Sequence, residues 1–221
     1  MRLTVRLLSD VIEFWSQKYS LSGAIVELPE IYKDIERYTQ YFKDQELESL
    51  NRISNRKRKA SRIAGRIAVR NALRRFDPEY FYDAVQGQVE ILNDEQGKPY
   101  LTKHSDINIS ITHSGAYALA VVSKKRIGID IERIENRPDC FINTYFCSSE
   151  QKWIRIAGGD SNRMANYLWT RKEAVSKLLG VGGTILFSSI PVLENESDFI
   201  FESHHLHQYC LSLALQKEIT A

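Results

Sequence analysis

The chain has 221 residues, 43% of them hydrophobic and 26% charged, with a net charge of +2. That length buries one large core or two small ones, and the composition excludes collagen-like, low-complexity and wholly disordered chains. The longest apolar runs, residues 107–111 and 117–122, are too short to span a bilayer, so no membrane partner is expected.

Residues 1–20 carry charge inside their apolar stretch and show no small-residue cleavage site, which argues against a signal peptide. They fit neither half of the layout below and stay unassigned. The three cysteines, Cys140, Cys147 and Cys210, are an odd number without CxxC spacing. A reduced, cytoplasmic chain is therefore expected rather than a disulfide framework or a zinc knuckle.

Residues 52–75 are strongly basic, with Arg62, Arg66, Arg70 and Arg74 among the cations and no acid in the stretch. Ile63, Ala64, Ile67, Ala68, Ala72 and Leu73 recur there at helical spacing, which predicts an amphipathic helix stopped at Asp77-Pro78. Strand-like runs follow at 88–92, 107–112, 117–123 and 128–134, separated by turn-forming residues. Helical patterns come next at 149–157 and 162–179, the second closed by Gly180, then strand-like runs at 189–193, 199–203 and 209–215. Helix followed by strands, twice over, predicts an α+β fold of two similar halves, residues 21–123 and 124–221. Each half sets a long helix on a small, mainly antiparallel sheet.

The sharpest motif is Gly128-Ile129-Asp130-Ile131-Glu132. In a strand, Asp130 and Glu132 project to one face and the isoleucines to the other. Two adjacent carboxylates repel unless a cation or strong donors sit between them. Hard oxygens so placed suit Mg²⁺, which takes one or two carboxylates plus waters and phosphates; a solvated strand face is the plain alternative. In Trp169-Thr170-Arg171-Lys172-Glu173-Ala174-Val175-Ser176-Lys177, the residues Trp169, Glu173 and Lys177 share one helix face. Glu173 can supply a third carboxylate and Lys177 can reach a phosphate, against the alternative of an ordinary i, i+4 ion pair. Ser110-Ile111-Thr112-His113-Ser114-Gly115 offers a histidine among hydroxyls at a turn, and Gly97-Lys98-Pro99 reads first as a turn. Neither a P-loop nor a dinucleotide fingerprint occurs.

Taken in order, these four motifs resemble the 4'-phosphopantetheinyl transferase superfamily, in its larger single-chain, Sfp-type form. Residues 145–150 and the Arg62-Ile63-Ala64-Gly65-Arg66 segment add to the resemblance. GIDIE and WTRKEAVSK recur in the smaller holo-acyl-carrier-protein synthases. The resemblance implies a pseudo-dimer of two α+β subdomains in one chain, with coenzyme A in the cleft between them, and hence a monomer. It implies Mg²⁺-dependent transfer of the phosphopantetheine arm of coenzyme A to a serine of an apo acyl or peptidyl carrier protein, releasing adenosine 3',5'-bisphosphate; Mn²⁺ is the other candidate ion. Asp130, Glu132 and Glu173 would hold the metal. Glu173, Lys177 and His113 would act in catalysis. Thr112, His113, Lys172 and Lys177 would meet phosphates, Lys98 and Pro99 the nucleotide end, and Arg62 the 3'-phosphate.

Two readings from other classes stand beside it. One is a nucleic-acid-binding protein using the basic helix, against which the small net charge and the lack of a reading motif weigh. The other is a Mg²⁺ phosphohydrolase with water as nucleophile. His204, His205 and His207 invite a transition-metal site but lack an acid or cysteine at a familiar spacing, and read as a loop.

Overall fold

The structure is a computed structural model and describes residues 2–42, 44–84 and 89–217. The chain divides into two compact units, Met1–Lys125 and Arg126–Ala221. Both are α+β, with a long helix packed on a three-stranded antiparallel sheet.

The first unit begins with helix α1 (Arg2–Tyr19), the segment left unassigned from sequence. Leu8, Val11, Ile12 and Trp15 recur at helical spacing and are buried. Ile12 lies over Gly23 of strand β1 (Leu21–Glu27), where a Cβ would come within 2.7 Å of the Ile12 methyl. Three short helices follow, α2 (Leu28–Lys33), α3 (Ile35–Thr39) and α4 (Asp44–Asn51). The long helix α5 (Arg56–Phe76) starts at Asn55, whose side-chain oxygen accepts the Arg58 N–H at 2.9 Å, and ends before Asp77-Pro78. Strands β2 (Ile91–Asn93) and β3 (Pro99–Leu101) form a hairpin. Strands β4 (Asn108–Ser114) and β5 (Tyr117–Ser123) form another, which joins β1 in the order β1-β5-β4. Of the strand-like run at 88–92, Gln88 lies outside the described residues.

Helix α5 is buried on several sides. Ala68, Val69, Ala72 and Leu73 pack with Ala24, Ile109, Ala120 and Val122 of the sheet. Ala60, Ile63, Ala64 and Ile67 pack with Ile31, Ile35, Phe42 and Leu50. The expected solvated basic face is therefore only partly present. Arg66 and Arg70 are 2% and 0% exposed. Glu46 lies between them, 3.3 Å from Arg66 Nε and 2.5 Å from Arg70 Nη2, and Arg70 also donates to the Val89 carbonyl and lies over the Phe42 ring. These cations hold the unit together instead of facing solvent.

The second unit contains β6 (Ile127–Arg133), α6 (Asp139–Tyr145), α7 (Ser148–Ile156), α8 (Ser161–Leu179), β7 (Phe199–Leu206) and β8 (Tyr209–Gln216), with sheet order β6-β8-β7. Helix α8 ends at Gly180, whose φ of +74° closes the helix in the left-handed region. The strand expected at 189–193 does not form. A 3₁₀ turn at Phe187–Ser189 leads into non-strand chain, because the carbonyls of Phe187, Ile190 and Val192 accept hydrogen bonds from Lys172 and Arg171 of α8.

Candidate active site

Strand β6 alternates as its sequence requires. Asp130 and Glu132 stand opposite Ser212 and Cys210 of β8 on the face that meets α8, where Thr170 and Ser212 share a hydrogen bond of 2.7 Å. The approach is close because of Gly128, where any Cβ would run into the carbonyl of Ala174. With Ala174 and Leu178 pressed onto the strand, their neighbours Glu173 and Lys177 come beside the acids. Lys177 Nζ donates to Asp130 Oδ1 at 2.6 Å, and Asp130 is 4% exposed. Arg137 reaches the same place, with Nη2 3.9 Å from Glu132 Oε2. Its Nε donates to Asn166 Oδ1 at 3.0 Å, and its guanidinium lies over the Phe141 ring.

Glu132 and Glu173 both feel the charge of Asp130. Burial pushes Glu132 up to about 7, the negative charge of Asp130 adds to this and Glu173 contributes, while Arg137 and Lys177 pull the other way. Glu173 is raised from its ordinary value by burial and then by Asp130, again opposed by Lys177 and Arg137. Three acids thus face two cations, an arrangement that excess positive charge would relax. Among the described residues no group of three or more histidine, cysteine, aspartate or glutamate side chains is placed to hold a metal ion. The donor chemistry nevertheless fits a hard divalent ion, which would take the place that the Lys177 ammonium holds on Asp130.

Of the other predicted residues, Arg62, Pro99 and His113 line an open depression of ≈ 210 Å³ in the first unit. Arg58, Arg62, Asn93, Pro99, Ile111 and His113 line it. Arg62 Nη1 donates to Asn93 Oδ1 at 2.9 Å, and Asn93 Nδ2 donates to the Gly97 carbonyl at 2.6 Å. Asp94 Oδ1 accepts the N–H groups of Gln96 and Lys98, and Gly97 takes φ +86°. The Gly-Lys-Pro turn is therefore a bracket tied to the basic helix. Burial and the charge of Arg58 lower the pKa of Arg62. His113 is exposed, Lys98 is half-buried at the same turn, and Thr112 is buried on the opposite face of β4 from Ile111 and His113.

Two family models match the chain: the 4'-phosphopantetheinyl transferase N-terminal domain over residues 47–123, and the 4'-phosphopantetheinyl transferase superfamily over residues 126–219. A holo-[acyl-carrier-protein] synthase of Halalkalibacterium halodurans is 35% identical over 47% of this chain and 92% of its own length. The chain belongs to the 4'-phosphopantetheinyl transferase superfamily. A 4'-phosphopantetheinyl transferase of Bacillus subtilis is 30% identical over 52% of this chain and 53% of its own. The 4'-phosphopantetheinyl transferase Sfp of Bacillus subtilis strain 168 is 23% identical over 85% of this chain and 83% of its own. The chain spans about half the length of the first two curated relatives it matches, 53% and 44%. The residues around the depression fall in the first superfamily match and the three acids with Lys177 fall in the second.

One motif residue of this superfamily member has a different place from that expected. Lys172 is fully buried and faces no phosphate. Its Nζ donates to Phe187 O (2.8 Å), Ile190 O (2.6 Å) and Glu150 Oε2 (2.8 Å), which uses all three donors. Charge pattern alone does not separate a lysine facing a ligand from one facing a carbonyl. The histidines are likewise dispersed: the His205 ring stacks on Tyr167 with Nδ1 3.3 Å from Cys210 Sγ, His204 takes the opposite face of β7, and His207 sits at the following turn. The sequence reading missed Arg137, Asn166, Asn93 and Arg58. The Arg137-Pro138 pair just after the acidic strand was the available signal for the first; nothing in the sequence spacing marked the others.

Proposed function

We propose that the protein transfers the 4'-phosphopantetheine moiety of coenzyme A to a serine hydroxyl of an apo acyl or peptidyl carrier protein and releases adenosine 3',5'-bisphosphate. The observation that carries this reading is the close approach of α8 at Gly128, which brings Glu173 and Lys177 beside Asp130 and Glu132, with Lys177 Nζ 2.6 Å from Asp130 Oδ1, in a member of this superfamily. Asp130, Glu132 and Glu173 would hold Mg²⁺, or Mn²⁺ in its place. That ion supplies charge neutralisation at the diphosphate and orients it. The serine oxygen forms a bond to the phosphorus that bears the pantetheine, and the bridging P–O bond breaks. Glu173, directly or through a water, takes the serine proton. Lys177 offsets charge on the phosphates, and His113 donates to phosphate oxygens. Arg62 would meet the 3'-phosphate and Pro99 the nucleotide end at the depression they line, with Lys98 beside them at the same turn and Thr112 assigned to the phosphates. Positioning and electrostatics suffice, because phosphoryl-type transfer asks little covalent chemistry of the protein.

We read the chain as Sfp-type rather than as a small synthase, because both superfamily matches lie in one chain. For the same reason we read it as a monomer, and as cytoplasmic because that compartment holds coenzyme A. The nucleic-acid reading loses two of the ten cations of residues 52–75, since Arg66 and Arg70 are buried against Glu46. The test is mass spectrometry of candidate apo-carriers mixed with coenzyme A, Mg²⁺ and the protein. The added phosphopantetheine mass on the carrier supports transfer; bisphosphate release without a carrier supports a hydrolase instead.

A further inference from the structure

Immediately before Glu173, α8 carries three consecutive polar residues, Thr170, Arg171 and Lys172, at 0%, 4% and 0% exposure. Three successive residues fan out over about 200° of a helix, so they meet different neighbours. Thr170 Oγ1 shares a hydrogen bond with Ser212 of β8 at 2.7 Å, and Ser212 donates to Ser203 of β7 at 2.9 Å. Arg171 Nε donates to that Ser203 at 3.0 Å and its Nη1 to the Val192 carbonyl at 3.0 Å. Lys172 takes the remaining side. Its partner Glu150 is fully buried and its carboxylate is fully used, with Oε2 on Lys172 and the Cys147 N–H, and Oε1 on the Val192 N–H at 3.1 Å. One ion pair thereby joins the start of α7, the segment 187–192 and α8.

We propose that this polar collar, with the Lys172–Glu150 pair as its principal tie, is a positioning device that fixes the rotation and axial setting of α8 so that Glu173 stands beside Asp130 and Glu132. The inference rests on the transferase reading of that carboxylate site. The charge of the pair itself gains little over well-packed apolar residues, because desolvation offsets the attraction, so its stabilising part is the pairing of the four backbone groups. The site is already lined by Phe146, Trp169 and Phe187, which would pack around an aliphatic pair. Apolar packing, however, loses uniqueness of arrangement before it loses stability, whereas three short hydrogen bonds from one ammonium are directional. Misplacing a reacting group by about 1 Å costs on the order of 10²-fold in rate.

The experiment compares the full chain with the double variant Glu150→Leu/Lys172→Met. It measures the thermal midpoint, KM for coenzyme A, kcat for carrier modification, and Mn²⁺ affinity by titration without substrate. The expected result is a thermal midpoint lowered by several degrees, because the backbone groups of Cys147, Phe187, Ile190 and Val192 lose their partners, with an unchanged KM for coenzyme A, kcat of the folded chain lower by about 10²-fold, and Mn²⁺ bound about tenfold more weakly. A folded variant with wild-type kcat and Mn²⁺ affinity overturns the proposal. A raised KM for coenzyme A with unchanged kcat also overturns it, since that is the behaviour of a phosphate ligand. Should the double variant fail to fold, Glu150→Gln keeps the shape and removes the charge; a folded Glu150→Gln chain is expected to lose about tenfold in kcat, and one with unaltered kcat counts against the collar. A wild-type chain that modifies no carrier removes the transferase reading itself, and the collar's role with it.

Discussion

The two long helices, α5 and α8, invite comparison because their frames are alike and their charges are not. Each lies on a three-stranded antiparallel sheet, and each makes its closest approach at a glycine. In the first unit the glycine is on the helix: a Cβ at Gly65 would come 2.6 Å from the Ile111 side chain. In the second it is on the strand, where Gly128 admits the backbone of α8. Around α5 two buried arginines share one acid. Arg66 and Arg70 both meet Glu46, and other donors of the pair reach Ser49, Asn93 and the Val89 carbonyl. Around α8 three acids meet two cations, one of them at 3.9 Å, and Glu132 rises to about 7. The two clusters carry opposite excesses, one positive charge beside α5 and one negative charge beside α8, and only the second sign suits the uptake of a cation.

The sharpest way to break the comparison is to neutralise one acid beside α8. Glu173→Gln or Asp130→Asn is expected to lower carrier modification at least about 10³-fold; the thermal midpoint holds or rises in Glu173→Gln, where a repulsion is removed, and falls in Asp130→Asn, which also loses the partly buried ion pair with Lys177. Transfer kinetics alongside a melt check this, and an unchanged rate in either variant rejects the role given to that acid. The corresponding change beside α5 has the opposite signature. Glu46→Gln leaves two guanidiniums without their buried partner, costs about 3–5 kcal/mol of stability by chemical denaturation, and leaves kcat of the folded fraction unaltered.

The glycines sharpen the frame. Gly128→Ala pushes α8 off the strand and is expected to cost about 1–3 kcal/mol together with most of the transfer rate. Gly65→Ala meets a side-chain methyl that can shift, and gains helix propensity of about 1 kcal/mol, so its net effect on stability is smaller and kcat stays within a few-fold. The weakest effect is in pH. Because the folded pKa of Glu132 is raised above 4.5 to about 7, the folded chain keeps a proton that the unfolded chain releases in that window. Its contribution to stability is complete below about pH 4.5 and is lost as pH rises through about 7. Melting the chelator-treated protein across this range is expected to show a downward slope that Glu132→Gln reduces, since Glu173 is raised as well; parallel slopes in the two proteins would contradict it.

Much of this was legible in the sequence, for reasons that are local. Alternation in a strand placed Asp130 and Glu132 on one face, and helical spacing placed Glu173 and Lys177 one turn apart. The hairpin of β4 and β5 and the stop at Gly180 follow from short-range chemistry in the same way. What was not legible depends on neighbours distant in the chain. The run 189–193 has strand composition, but its carbonyls are claimed by Lys172 and Arg171. Lys172 and Glu173 are adjacent charged residues in one motif, yet only the fold turns one into the core and leaves the other beside Asp130. Arg66 and Arg70 belong to a basic run whose burial hinges on Glu46, some twenty residues earlier. Residues 1–20 do have helical periodicity in Leu8, Val11, Ile12 and Trp15, but the surface they cover includes β1, which the sequence did not announce.

The account stands most directly on Mn²⁺ binding to the substrate-free full chain, followed by the loss of the free-ion paramagnetic resonance signal. One ion per chain is predicted for the wild type, with affinity lowered at least about tenfold in Asp130→Asn, Glu132→Gln and Glu173→Gln alike. Equal affinity in the wild type and these three variants, or no bound ion in any of them, would contradict it.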